Sequence, residues 1–332
     1  MSTAMPFPGL GPKIKASYAA GVKAGAVHFT ESEVEEVDEN GIPLEIRFAP
    51  ALAKKPTGDK PDTPKDTSDP FAPPYTPELF LAEDVVKESE TDVGEEYVVL
   101  LNKYCVTPRH FLLVTKEFEK QQSPLTPSQL LAAYSILRQL GQREKFLAFF
   151  NCGPNSGASQ PHKHIQFIPL SNGVAPFDAF IQAHQPEKSK SPFQLPLPYA
   201  QFTCMINPPP GADLARYLGG HLFALIDLLI DHLRRLSMAD ETNSIPLRLS
   251  ALSYNIIMTE AYISLIPRTK ESYTLEGGEE VSINAIGYTG AILVKTQSAL
   301  DGIKKLGVLA VLAEVGFPPV APGGLPEAEE LE

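Results

Sequence analysis

Two periodicities divide this chain into elements. From Ala26 to Pro50, "AVHFTESEVEEVDENGIPLEIRFAP" alternates short apolar runs with charge. With the residues just before it, the stretch predicts a helix followed by one or two strands turning at Asn40–Gly41. Residues 53–77, "AKKPTGDKPDTPKDTSDPFAPPYTP", crowd proline, lysine and aspartate without any period, which predicts a long mobile surface loop. The signal then sharpens. "YVVLLNKYC" and "HFLLVT" are β-rich runs around the turn "VTPR", as in a hairpin. "TPSQLLAAYSILRQLGQ" carries leucine and isoleucine at helical spacing, with Thr126 as N-cap and proline at the first helical position. "KFLAFFNCG" and "KHIQFIPL" read as two more strands, joined by a glycine-rich turn over 153–159.

The second half follows the same grammar more loosely. "DLARYLGGHLFALIDLLIDHLRRL" predicts a long amphipathic helix, and "LSYNIIMTEAYISLIPRT" two β-rich runs about a turn. "INAIGYTGAILVKT" reads as a further strand pair, or as one strand bulged at its glycines. "SALDGIKKLGVLAVLAEVGFP" closes the fold as helix, and "EAEELE" predicts a disordered tail. The expected class is α+β with an antiparallel sheet and flanking helices. "NKYCVTPRHFLLVTK" resembles "TEAYISLIPRTK" in type, which suggests a degenerate duplicated unit with one functional copy.

Composition narrows the class. The chain has 332 residues, 43% apolar and 20% charged, enough for a substantial core in one large domain or two ordinary ones. A net charge of −12 argues against general affinity for nucleic acid or anionic membranes, which need clustered cations. No apolar run approaches the roughly 18 residues that span a bilayer, and the N-terminus lacks a signal-peptide core. The expected compartment is the cytoplasm, with the nucleus open as a second. Cys105, Cys152 and Cys204 are sparse and unpaired in spacing, which fits a reducing compartment and offers no thiolate zinc site.

Chemistry concentrates in "FFNCGPNSGASQPHKHIQFIPL", Phe149 to Leu170. On a strand, His162, His164 and Gln166 project from one face, with Lys163 and Ile165 on the other. Gly153, Gly157 and Ala158 let the backbone approach a ligand closely. With Ser156, Ser159 and Gln160, the N–H groups of that turn can form an anion-binding nest. The imidazoles can bind a metal, attack phosphorus or pack. Zinc held by His162, His164 and His110 finds no cysteine or carboxylate at ligand spacing. For phosphorus, His164 is the natural nucleophile and Gln166 a donor to a non-bridging oxygen.

The motif "HKHIQ" after "NCGPNSGASQ", with "LLNKYCVTPRHFLLVTKEF", "DPFAPPY", "LTPSQLLAAYSILRQL" and "SINAIGYTGAILVKT" in order, resembles the histidine-triad superfamily. The likeness is to its transferase branch, in which glutamine replaces the third histidine, and within it to the fungal diadenosine tetraphosphate phosphorylases, also called ATP adenylyltransferases. The resemblance implies a histidine-triad-like fold with an N-terminal part over 1–191, a C-terminal part over 192–318 and a tail over 319–332. It implies a ping-pong transfer in which His164 takes AMP from diadenosine tetraphosphate, ATP leaves, and phosphate releases ADP. His162 orients the site. Lys54 or Lys55 and Lys295 correspond to polyphosphate-binding lysines, and Asn102, Lys103 and Asn151 to the adenylate side. Asn284, Gly287, Thr289 and Gly290 fall near the second nucleotide, and His110 beside the active strand. Phe71, Tyr75 and Tyr288 are candidates for adenine stacking. A divalent cation such as Mg²⁺ would arrive with the nucleotide, and the missing Cys-x-x-Cys removes the reason for structural zinc. Expected partners are diadenosine polyphosphates, phosphate, ADP and ATP, bound by a monomer or small homo-oligomer. A sugar-phosphate uridylyltransferase and a non-catalytic nucleotide sensor are the competing readings.

Overall fold

The computed structural model describes residues 6–53, 69–89, 91–185, 191–239 and 252–319. Lys54 and Lys55, most of the predicted loop 53–77 and the predicted tail beyond Phe317–Pro318 and residue 319 lie outside them.

After helix α1 (Leu10–Lys23) come β1 (Glu33–Glu39) and β2 (Ile42–Phe48), an antiparallel pair. They turn at Asn40 and Gly41, whose φ angles of 59° and 80° suit a tight hairpin that asparagine and glycine tolerate. Strands β3 (Phe80–Val86), β4 (Glu95–Leu101) and β5 (Phe111–Thr115) precede α2 (Pro127–Gly141). Thr126 caps α2 through a full capping box: its hydroxyl accepts from the Gln129 N–H while the Gln129 side chain accepts from the Thr126 N–H. Strands β6 (Phe146–Cys152) and β7 (His164–Pro169) complete the first half. The second half runs through a short α3 (Asp178–His184), β8 (Phe193–Gln194), β9 (Phe202–Met205), α4 (Leu214–Ala239), β10 (Tyr254–Met258) and β11 (Tyr262–Pro267). Among the described residues no helix is long and apolar enough to cross a membrane.

Nine strands form one antiparallel sheet in the order β8-β9-β11-β10-β6-β7-β5-β4-β3. Read inward from each side, β4-β5-β7-β6 and β8-β9-β11-β10 repeat one topology, and the copies join where β6 meets β10 with Asn151 opposite Asn255. This is the expected duplicated α+β unit. The pairing differs in detail: "YISLIP" on β11 is the counterpart of the His-bearing β7, and β5 corresponds to β9.

Strand alternation gives the sheet two apolar faces. Phe111, Leu113, Ile165, Phe167, Ala148 and Phe150 pack under α1, α2 and α4, where Ile14, Leu137 and Leu225 are buried. The reverse face buries Leu147, Phe149, Ile257 and Ile266 against the C-terminal helices, and Leu112 and Val114 against Phe71 and Tyr75. Burying each such large side chain contributes roughly 1.5–3 kcal/mol. Two predictions fail near the C-terminus. "INAIGYTGAILVKT" forms a 3-10 turn at Gly287–Thr289 and a single strand, β12 (Ala291–Val294), parallel to β2. Gly290 takes φ 94°, so its freedom closes the turn instead of bulging a strand. The predicted closing helix is two, α5 (Gln297–Leu306) and α6 (Val308–Val315), because Gly307 at φ 93° ends the first.

Candidate functional site

β7 lies at the centre of its half-sheet, between β5 and β6, with Gln166 opposite Leu112 on one side and Phe149 on the other. Leu112 and Phe149 belong to the face turned away from α2, so Gln166 and, two residues earlier, His164 belong to that face as well. The His162 and His164 rings both lie near Phe71, with centroids 6.1 and 5.0 Å from that of Phe71. The strand starts at His164, and His162 sits before it in an isolated bridge to Lys120. On the reverse side Lys163 is buried, its Nζ donating to Glu119 Oε2 (2.7 Å) and to the Pro124 carbonyl (3.1 Å).

The start of β7 is clamped by a side chain. Gln121, 2% exposed, accepts the His164 N–H at its Oε1 (2.8 Å) and donates from Nε2 to the carbonyls of Asn151 (2.8 Å) and His164 (3.3 Å). It replaces the ladder bonds that β6 stops supplying beyond Phe149. The His164 ring is then fixed by its own strand: Nδ1 donates to the His162 carbonyl at 2.8 Å, which leaves the Nε2 lone pair free. Burial holds the ring neutral, lowering its pKa to about 4.

Two further groups orient Gln166. Asn102 Nδ2 donates to His110 Nδ1 at 3.0 Å, so Nε2 carries the His110 proton and donates to Gln166 Oε1 at 3.1 Å. With its oxygen engaged, the Gln166 amide is left with only its NH2 to offer a ligand. His110 is 7% exposed, and burial lowers its pKa to about 4, consistent with this neutral relay. His162 is 1% exposed and bound at both ring nitrogens, Nδ1 to Asp69 Oδ2 (2.6 Å) and Nε2 to the Thr115 carbonyl (2.7 Å).

The turn from β6 to β7 leans on the second half of the chain. Gly157 has φ 79°, and a Cβ there would stand 2.8 Å from the Ile283 carbonyl and 2.9 Å from Asn284 Cβ. Below the turn, Asn151 Oδ1 accepts from Asn255 Nδ2 (2.8 Å) and the Ala285 N–H (3.0 Å). Asn255 Oδ1 in turn accepts from the buried Arg268 (2.7 Å). Asn151 is thus a sealed joint, 1% exposed, beneath the turn. Ala158 and Gln160 are half-buried and Ser159 is exposed. Among the described residues, no hydrogen bond engages the backbone N–H groups of residues 157–160.

The other candidates divide. Asn284 stands against Gly157, with its Oδ1 accepting from the Ile286 N–H (3.0 Å). Gly287 and Thr289 lie in the buried 3-10 turn, where the Thr289 hydroxyl donates to the Ile286 carbonyl (2.7 Å). Lys103 is exposed, with Nζ 5.5 Å from the Tyr104 ring. Lys295 is exposed just past β12, whose last residue Val294 pairs with Phe48. Of the aromatic candidates, Phe71 faces His164 with ring centroids 5.0 Å apart. Tyr75 stacks on Phe80, while Tyr288 is fully buried with its hydroxyl donating to the Leu312 carbonyl. Asp69, Thr115, Gln121, Asn255 and Arg268 escaped the sequence reading. They lie tens of residues from the motif, and nothing in their local spacing marks them.

Comparison with known proteins adds to this geometry. Residues 4–182 match a family model described as "Ap4A phosphorylase N-terminal domain", and residues 196–318 one described as "ATP adenylyltransferase C-terminal domain". The chain is 32% identical to diadenosine 5',5'''-P1,P4-tetraphosphate phosphorylase 2 of Saccharomyces cerevisiae, covering 93% of this chain and 95% of that protein. It also resembles the crystal structure of a yeast Ap4A phosphorylase with a TM-score of 0.75 at 30% identity, covering 95% of this chain and 96% of the other. A yeast Ap4A phosphorylase in complex with Ap4A matches with a TM-score of 0.71 at 29% identity, over 94% and 98% of the two chains.

Proposed function

The chain belongs to the Ap4A phosphorylase family of nucleotidyltransferases, and from that premise we propose that it cleaves diadenosine tetraphosphate with phosphate through an AMP adduct on His164. One observation carries the mechanism: the His162 carbonyl holds Nδ1–H of a buried, neutral His164, so Nε2 is the available nucleophile. Nε2 attacks an α-phosphorus, a P–N bond forms, and the P–O bond to the next phosphate breaks as ATP leaves. Nδ1–H stays on the carbonyl, which stabilises the positive charge the ring acquires. Phosphate oxygen then attacks the same phosphorus, the P–N bond breaks, and ADP departs with His164 neutral again.

Little acid–base machinery is required, since phosphoryl-type transfer depends on positioning and on charge stabilisation. The NH2 of Gln166, aimed by His110, donates to a non-bridging oxygen. The unengaged N–H groups of Gly157 to Gln160 receive phosphate oxygens, and Lys54 and Lys295 the rest of the polyphosphate. Phe71 is the aromatic placed to meet an adenine. Asn102 acts through His110. Among the described residues no three His, Cys, Asp or Glu side chains come together to hold a metal. In this reading a divalent cation such as Mg²⁺ is carried on the nucleotide's own phosphates.

Intact-protein mass spectrometry after incubation with diadenosine tetraphosphate, without phosphate, tests the reading. Wild-type protein should carry one AMP that added phosphate discharges as ADP, and His164→Ala should carry none. Rapid turnover to AMP without phosphate would mark a hydrolase, and tight binding without any adduct a sensor.

A further inference from the structure

The His162 ring has no free nitrogen, and its partners are unequal. Thr115 belongs to β5 and offers a fixed backbone carbonyl. Asp69 comes from outside the sheet, at the edge of the proline-rich stretch, and its carboxylate is divided. Oδ2 meets His162 Nδ1 at 2.6 Å, and Oδ1 accepts the Phe71 N–H at 3.0 Å. Phe71 is the ring that faces His164. One carboxylate thereby joins the covering segment to the histidine whose carbonyl holds the nucleophile.

Three oxygens face the ring: Nδ1 meets the Asp69 carboxylate, and Nε2 lies within reach of both the Thr115 carbonyl (2.7 Å) and the Thr115 hydroxyl (3.1 Å). The peptide that holds His164 Nδ1 lies before the regular ladder, and its own N–H, on Lys163, donates to the Glu119 carbonyl at 2.8 Å. The pinned His162 ring adds a side-chain constraint to that backbone bond.

We propose that Asp69 is a positioning residue for the transfer, fixing the His162 ring at Nδ1 and through the His162 carbonyl orienting His164, while its second oxygen anchors Phe71 over the site. The proposal rests on His164 being the nucleophile. Asp69→Asn isolates the contact to His162: the amide oxygen can still accept the Phe71 N–H, while an NH2 in place of Oδ2 cannot accept from Nδ1.

The test is rapid-quench measurement of AMP–protein formation from diadenosine tetraphosphate in the full chain, with wild type, Asp69→Asn, His162→Gln and the double variant. Asp69→Asn should slow adduct formation about tenfold or more, the usual effect of losing a histidine's orienting partner. The substrate concentration at half-maximal rate should move less than about threefold, as for an interaction used mainly in the transition state. In the His162→Gln background, Asp69→Asn should change the rate by less than about twofold, because its route is already cut. Wild-type kinetics for Asp69→Asn, an effect confined to half-saturation, or full additivity in the double variant would each overturn this role alone. A wild-type protein that forms no adduct would overturn the His164 reading, and this one with it.

Discussion

The Gln166 amide has one oxygen, and His110 occupies it, so the work of His110 is to decide which end of the glutamine faces substrate. That work requires a neutral ring, since Nδ1 must accept from Asn102. Burial supplies the neutrality at a cost that depends on pH. The folded-state pKa is about 4, against 6.5 in the unfolded chain, so between these values the unfolded state binds the extra proton. Unfolding free energy then rises with pH across this window, and the protein loses stability as pH falls from 6.5 toward 4. His164 contributes with the same sign. Urea titrations at pH 7, 6 and 5 should show the loss. His110→Asn should flatten it by up to about 1.4 kcal/mol per pH unit, the value of one proton over that range. Equal slopes for variant and wild type would mean that His110 is not buried neutral.

At the scale of elements, most boundaries were legible because each has a local cause. Thr126 and Pro127 announce α2, Asn40–Gly41 announces a hairpin, and the alternation in "HKHIQ" announces β7. Errors arose where a glycine's meaning depends on distant neighbours. Those in "NAIGYTG" serve a turn, and Gly307 divides a helix that periodicity alone would continue. Gly157 shows how such a position is tested. Its left-handed φ and the nearby Ile283 carbonyl both oppose a side chain. Gly157→Ala should therefore cost about 2 kcal/mol in denaturant unfolding, from backbone strain together with the close contact. It should also weaken substrate binding, because the same turn presents the N–H groups of 158–160. An unchanged half-saturation in a folded variant would separate that turn from the phosphates.

Across the whole molecule, the motif is local but its support is not. Sequence periodicity could show two similar halves, yet strand order alone reveals that β7 and β11 are counterparts and that β6 and β10 join the copies. The same long range hid Arg268. Its guanidinium, on a residue 2% exposed, donates to the carbonyls of Val315, Ser156, Lys270 and Glu271 and to Asn255 Oδ1. Through Asn255 and Asn151 it braces the turn that leads to His164. A sequence reading has no way to tell this arginine from a solvated one, since its partners span residues 156 to 315. Arg268→Met would leave the buried Asn255 Oδ1 and the Lys270 carbonyl without donors, and should cost about 3 kcal/mol or more in urea unfolding. Arg268→Lys should recover little of it, because an ammonium cannot reproduce a planar fork that reaches both sides of the joint. If Arg268→Lys matched wild type in both stability and adduct formation, charge alone would suffice, and the forked bridge between the two halves would not be what holds the catalytic turn in place.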